Sequence, residues 1–502
     1  MKRVLTMLAA FAVVMTVAPL AARGADAQPV RGGTLTVAMP DEPPGLDPTI
    51  STSQAIARIV YDNVLQGLVR VDRDGRVVAC LATSWDVSKD GLTYTFTLRP
   101  NVTFHDGTKL TPADVVADLE RAMDPSSDHT HHEYYAAIAG VKAGADGTVV
   151  LTLKHRDGNL LFDLARPDSV IYPPKDEKTL RTDPVGTGPF AFVRWTRGNS
   201  VQLKRFDHYW DPKLPYLDAV TFRFMPDPQT QLAALQSGQV DVIGDGLSPE
   251  NALVVEKTPG LKLLKGFTTA KMIMSTNNAK APFNNVLVRR AMAYATDREA
   301  LIQGAMFGFG TPIGSHATPA EYYYVDLTKL YPYDPAKAKA LLAQAGYPKG
   351  FTATLDLPQP YINARRSGEV LAQQLSKVGI DLKLRIVQWD YWLSHIFKEG
   401  DYQLTVIAHA EPLDIGIYAN PKYYFHYDNP KVQQLVLQAQ EATSVAERKR
   451  LYGEIQRIIA ADAVNDYLFA VPNLVAARGN VQNWWVNQPI VAIDVTKAYL
   501  SK

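Results

Sequence analysis

Two rhythms of apolar positions run along the chain. Residues 34–39 (Thr-Leu-Thr-Val-Ala-Met) alternate with the period of a strand, and a helical period follows over about 54–68. Runs at 85–87 and 92–98 flank Lys89-Asp90-Gly91, and Val141 with 149–153 flank Asp146-Gly147. Each Asp-Gly pair predicts a hairpin, because glycine supplies the positive φ the turn needs. Between the hairpins, Thr111-Pro112 starts a helix, with Thr as cap, Pro at the first helical position, and Val115, Leu119 and Met123 on one face. This stretch reads as a small α+β module.

Strand periods return at 190–194, 201–206 and 219–225. A helix over 229–236 is then stopped by Gly238, with strand 240–243 straight after it. The helix–glycine–strand unit recurs. Asp334-Pro335 opens a helix with Ala338, Leu341, Leu342 and Ala345 inward, ending at Gly346. Strand 351–357, helix 364–377, strand 380–386, helix 390–398 and strand 402–408 follow, then helices over 430–440 and 445–462, the last capped by Ser444. Such alternation predicts a mostly parallel sheet covered on both faces. Two α/β regions result, one before and one after about residue 268. Ligands of open α/β sheets sit beyond the carboxyl ends of the strands, so two facing regions place a ligand between them.

A chain of 502 residues exceeds what one hydrophobic core supports, which agrees with that division. Charge adds little: 52 basic against 51 acidic residues give no drive toward nucleic acid or an anionic membrane. The N-terminus changes the picture more. Lys2-Arg3, an apolar run from Val4 to Leu20 and the A-x-A pattern Ala25-Asp26-Ala27 compose a secretory signal peptide over residues 1–27. The single cysteine, Cys80, is too far along to carry a lipoprotein's acyl chains and has no partner for an internal disulfide. The mature protein is therefore expected in the periplasm, exported and free of a lipid anchor.

Five segments carry a family resemblance. They are Gly32-Gly33-Thr34-Leu35 with Gly45-Leu46-Asp47-Pro48; residues 98–107 running into Leu110-Thr111-Pro112-Ala113-Asp114-Val115-Val116; Gly186-Thr187-Gly188-Pro189-Phe190; residues 232–242; and Asn277-Asn278 with Ala281-Pro282-Phe283, 288–292 and 295–298. In this order they resemble the peptide/nickel/opine group of ABC-transporter solute-binding proteins, family 5. The resemblance implies an α/β, two-lobe periplasmic binding protein fold with an α+β subdomain inserted in the first lobe and ligand in the interlobe cleft. On this chain it implies lobe I from 28–50, 185–268 and 480–502, the insertion from 51–184, and lobe II from 269–479. It further implies a monomer that closes on a small-molecule solute and delivers it to an ABC permease and its ATPase, with no cofactor and no catalysis.

The resemblance also suggests solute contacts. Relatives grip a peptide's amino group with an acidic residue after the last α/β strand. The equivalent stretch here, Ala408-His409-Ala410-Glu411-Pro412-Leu413-Asp414-Ile415, offers Glu411 or Asp414, although the family's Trp is missing and Asp414 also reads as a loop cap. Dipeptide binders hold the ligand carboxylate with an Arg, and the corresponding position is Gln359, next to Tyr361. A neutral amide lacks the bidentate grip of a guanidinium, which argues against a simple dipeptide unless Arg365 substitutes from the following helix start. Trp389 matches a pocket aromatic or packs in the core. Ser51, Thr52 and Ser53 match a polar contact region or cap a helix. Met274, Tyr423 and Tyr424 are further candidates for the lobe II side. The solute expected is an amine-bearing compound such as a modified peptide or an opine-like conjugate. His129, His131, His132 and Glu133 are dense enough to suggest metal, but they fall in a polar loop expected away from the cleft and lack zinc-site spacing. Two alternatives stay open, a metal-chelate or haem binder of the same fold and a hydrolase using Glu411 and Asp414.

Overall fold

A computed structural model describes residues 29–502; the signal peptide expected over residues 1–27 lies outside the described residues. One large sheet runs through the molecule. Its strands lie in the order 380–387, 351–358, 404–409, 261–276, 466–478, 242–243, 34–39, 219–224, 200–205 and 190–196, with the short strand 311–312 on the side of 466–478. The strand 34–39 pairs parallel with both neighbours, and so does 351–358. The remaining pairs are antiparallel. The expected mostly parallel sheet is thus a mixed one. The reason is two long antiparallel strands, Leu261–Thr276 and Asp466–Arg478, that the apolar pattern did not announce.

These two strands join the halves. From Leu261 to Phe267 the first pairs with the far part of the second, and from Lys271 onward it pairs also with strand 404–409. The register breaks between Phe267 and Lys271: four steps on one strand face two on the other, from Pro472 to Ala470. An unpaired surplus of this kind bends a strand and weakens the local ladder. The chain leaves the strands of the first half at this break and continues beside strand 404–409. It returns inside strand 466–478, whose Ala476 and Ala477 pair with Ile243 and Val242 of the first half.

Side chains alternate across the second half as a strand demands. Met272 and Met274 enter a core with Leu355, Leu357, Leu404 and Val406, while Ile273 joins Ile407, Tyr418 and Phe425 on the opposite face. The inserted module is a four-stranded antiparallel sheet, ordered 82–87, 93–98, 148–153 and 138–143, beside helix Pro112–Met123. Asp146 and Gly147 both have positive φ, as the sharp hairpin turn requires. The helix expected over 54–68 stops at Val60, because Tyr61 is extended and Asp62 sits at φ 60. No helix among the described residues is long and apolar enough to cross a membrane.

Candidate functional site

The cleft between the halves holds two adjoining cavities of about 310 and 410 Å³, which share Gln54, Glu411, Pro412 and Val491. The smaller lies over the hinge, against Thr268–Ala270 and Val471–Leu474, with Arg58 and Asp245 from lobe I and Asn363 from lobe II. The larger is lined by Ser51, Thr52 and Ser53, by His131 and Tyr134, and by Arg166–Asp168 facing Glu411 and Asp414. Four segments distant in sequence therefore compose one site.

Its charges are unequally used. Arg58 pairs with Asp245 at 3.2 Å. Arg166 donates to Asp163 at 2.9 Å and lies 4.0 Å over the Tyr134 ring. Both cations facing these two cavities are thus neutralised within lobe I. Glu411 is exposed at the junction, and among the described residues its carboxylate has no partner. Asp168 is buried, and its Oδ2 is also unpartnered; burial pushes its pKa up, opposed by the nearby His129. The uncommitted charge of the cleft is therefore negative.

Asp414 behaves differently although it is only three residues on. Its Oδ1 accepts from Lys271 Nζ at 2.7 Å and its Oδ2 accepts from His316 Nε2 at 3.0 Å. Lys271, fully buried at 0%, also lies 3.5 Å from Glu321 and donates to the Glu411 carbonyl at 3.2 Å. Three donors thus meet three acceptors, as a buried ammonium requires. Burial opposes the Asp414 charge, but His316 and Lys271 hold its carboxyl well below the usual range. Burial likewise works against the Lys271 ammonium, yet Asp414 and Glu321 keep its pKa above the ordinary lysine value. Burial pushes His316 down to about 4. The neutral ring donates from Nε2 to Asp414 and accepts at Nδ1 from the Tyr418 hydroxyl at 3.0 Å.

His316, His409 and Asp414 bring one ligand atom each within 4.8 Å of one another, as a cation site would. The donor set does not fit one. Lys271 occupies Asp414 Oδ1, both His316 nitrogens are engaged, and His409 Nε2 is 2.8 Å from the Tyr424 hydroxyl. The 129–133 histidines are separate from this group, and although the His129 and His132 rings lie 5.8 Å apart, each is engaged elsewhere. His129 Nε2 meets the Asp168 carbonyl, His131 Nδ1 meets Glu133, and His132 Nδ1 meets the Ala122 carbonyl. Contrary to the expectation of a loop away from the cleft, His131 borders the larger cavity, because the loop folds back against 166–168.

Of the expected contacts, Glu411, Asp414, Ser51, Thr52 and Ser53 line the larger cavity. Gln359, Tyr361 and Trp389 stand together at the carboxyl ends of strands 351–358 and 380–387, outside both cavities. There the Trp389 ring stacks 4.9 Å from Trp392 and meets Tyr361 edge-on at 5.0 Å. Met274 does not face the cleft: strand alternation turns it into the lobe II core, at 0% exposure. Tyr424 is buried beneath the site, with its hydroxyl 3.0 Å from Ser275 Oγ, and Tyr423 packs beside it. The sequence reading missed Lys271, His316, His409 and Glu321. One signal was present: Lys271 is the only charged residue in the apolar run from Thr269 to Met274.

Comparison with known proteins agrees with this architecture. The family of bacterial extracellular solute-binding proteins, family 5, middle part, matches residues 76–412. The chain is 32% identical over 461 residues to the glutathione-binding protein GsiB of Escherichia coli strain K12, covering 88% of this chain and 89% of that one. It is 33% identical over 452 residues to GsiB of Pectobacterium atrosepticum, covering 86% and 87%. Among solved structures, HbpA2 from Haemophilus parasuis superposes with a TM-score of 0.85 at 26% identity, over 94% of this chain and all (100%) of that one. The binding protein AgaA from A. tumefacien R10, in complex with agropinic acid, superposes with a TM-score of 0.72 at 30% identity, over 94% and 99%. The chain therefore belongs to family 5 of the bacterial extracellular solute-binding proteins, the periplasmic solute-binding components of ABC importers.

Proposed function

We propose that this protein captures a small amine-bearing solute, a modified peptide or an opine-like amino-acid conjugate, with Glu411 as the contact for the amine. The carrying observation is the unpaired Glu411 carboxylate at the junction of two cavities whose own cations are neutralised internally. A charge-assisted hydrogen bond from an ammonium is what such a carboxylate lacks. Cavities of about 310 and 410 Å³ suit a ligand of a few residues' bulk rather than a long peptide. The relative GsiB is named for glutathione, a modified tripeptide with a free amine. Asp414 serves the loop rather than the solute in this reading. Ser51–Ser53 and Asn363 supply the neutral contacts, and the aromatic ledge of Tyr361 and Trp389 with Gln359 meets the solute's outer end when the lobes close.

The protein acts as a secreted monomer cleaved after Ala27, without a lipid anchor, and hands its solute to a permease without chemical change. Asp414, tied to Lys271 and His316, is unavailable as the partner of Glu411 in hydrolysis. Titration calorimetry with glutathione, agropinic acid and short peptides tests the class. Glu411→Gln should weaken the best of these by about tenfold or more, the worth of one charge-assisted bond at roughly 1.5–3 kcal/mol. Equal affinity in the variant, or binding only of solutes without an amine, would sink the assignment.

A further inference from the structure

The loop that presents Glu411 hangs from the hinge itself. Thr269 Oγ1 donates to the Ala410 carbonyl at 2.6 Å. Lys271 Nζ donates to the Glu411 carbonyl at 3.2 Å and grips Asp414 Oδ1 at 2.7 Å. Both residues belong to the segment where the outgoing strand loses register with its partner, between Phe267 and Lys271. Thr268, in the same segment, is pinned through Oγ1 to the Val471 carbonyl at 2.7 Å, and its own carbonyl accepts from Thr318 Oγ1 at 2.6 Å. A second feature points the same way. Leu413, between the two acidic residues, sits at φ 60, a conformation an apolar side chain adopts only under constraint. The anchoring of Asp414 on Lys271 and His316 supplies that constraint and aims the loop.

We infer that Thr269 and Lys271 are positioning residues that couple hinge rotation to the solute loop, so that a turn at 268–271 carries Glu411 with it. The inference rests on the reading of Glu411 as the amine contact and adds how its placement is controlled. A ligand can drive closure only through contacts that differ between open and closed states, and a loop carried by the hinge provides such a difference. Asp414 then has a defined part: at the cavity wall its carboxylate is tied to Lys271 and His316 and serves as the loop's far anchor.

Thr269→Val removes one hydrogen bond with little change of shape, so the fold should survive. A second variant, Lys271→Met with Asp414→Asn and Glu321→Gln, removes the buried charges together, so that none is left without its partner. Two measurements follow. Spin labels on Val193→Cys and Ile386→Cys, exposed positions on the two edge strands of the sheet, report the lobe-to-lobe distance without any solute; Cys80 is buried and does not compete for label. Both variants should broaden or shift this distribution, and an unchanged distribution in both overturns the coupling. Calorimetry with glutathione as the probe then forms a double-mutant cycle. Thr269→Val should weaken binding about fivefold in the native background, the worth of one hydrogen bond, and hardly at all beside Glu411→Gln. Equal weakening in both backgrounds means that Thr269 does not act through Glu411, and the inference falls. If Glu411→Gln alone leaves binding intact, the amine contact is refuted instead, and the distance measurement still judges the tether.

Discussion

At the residue scale, Glu411 and Asp414 show how little a local sequence says about a carboxylate's job. They are three positions apart, yet one is exposed in the cleft and the other is held by Lys271, 143 residues away, and His316, 98 away. The same network makes a prediction about acid. His316 is fully buried, and both its nitrogens are satisfied in the neutral ring, so a second ring proton would face the Tyr418 hydroxyl that now donates to it. Tyr418 cannot easily turn, because its oxygen already accepts from Asn465 at 2.9 Å and from Tyr467 at 3.2 Å. With a folded pKa of about 4 against an ordinary value near 6.5, the unfolded chain binds the extra proton first. The stability from this group is complete above about pH 6.5 and is lost as pH falls toward 4. Between pH 7 and pH 5 the loss is about 2 kcal/mol. Urea unfolding at the two pH values should show His316→Gln losing less than the native protein over this interval. Parallel losses would place the acid sensitivity elsewhere.

At the element scale, what was legible was what short-range chemistry decides. The hairpins turned where Asp-Gly demanded, helix Pro112–Met123 began at its Thr-Pro cap with Asp114 completing the capping box, and helix Pro228–Ser237 ended at a left-handed Gly238. The hinge strands were not legible. Lys262, Lys265, Gly266 and Lys271 interrupt the alternation of 261–276, because the strand passes from a half-exposed stretch into a core and its burial pattern changes midway. Contacts between elements were equally hidden. The loop before helix Leu160–Asp163 docks on the turn between helices Pro430–Glu441 and Val445–Ala461: the Gly158 amide donates to the Gln440 carbonyl, and Arg448 donates to the Gly158 carbonyl. A Cβ on Gly158 would come within 2.6 Å of the Ala442 carbonyl oxygen and 2.8 Å of that of Ala439. Gly158→Ala should therefore push the insertion off lobe II and lower stability by about 1–3 kcal/mol. Another bridge between the lobes, Arg366 to Glu250 at 2.6 Å, is partly exposed on both sides, and Arg366→Ala should cost under about 1 kcal/mol. Thermal unfolding of the two variants ranks them; a larger loss for Arg366→Ala would reverse this account of what holds the lobes together.

At the scale of the whole molecule, two regions with a strand–helix rhythm of their own could be expected from the sequence, whereas the meeting of 51–54 and 411–414 with 131–134 and 166–168 could not, because only the folded chain brings them together. The sheet explains how such a site opens. It continues across both lobes, but only two strands carry it over the hinge, and their ladder is interrupted between Phe267 and Lys271. Bending there disturbs few backbone hydrogen bonds, and most core clusters lie within one half; the exception is Phe309, which packs with Leu235 and Ile243 of the first half. Closure should thus behave as a rotation of two rigid bodies about residues 268–271 and 471. A compact chain of this length has a radius of gyration of about 23 Å. Two lobes held apart by an open cleft exceed that value, and a bound solute should bring it down, since contacts to both lobes exist only when they close. Solution scattering with and without the best solute from the calorimetric series is the direct check. A decrease that persists in Glu411→Gln at saturating solute would show closure driven by the remaining contacts. A radius that stays constant while calorimetry reports full binding would mean that the solute is taken up on one lobe alone, and the two-body hinge would have to be abandoned.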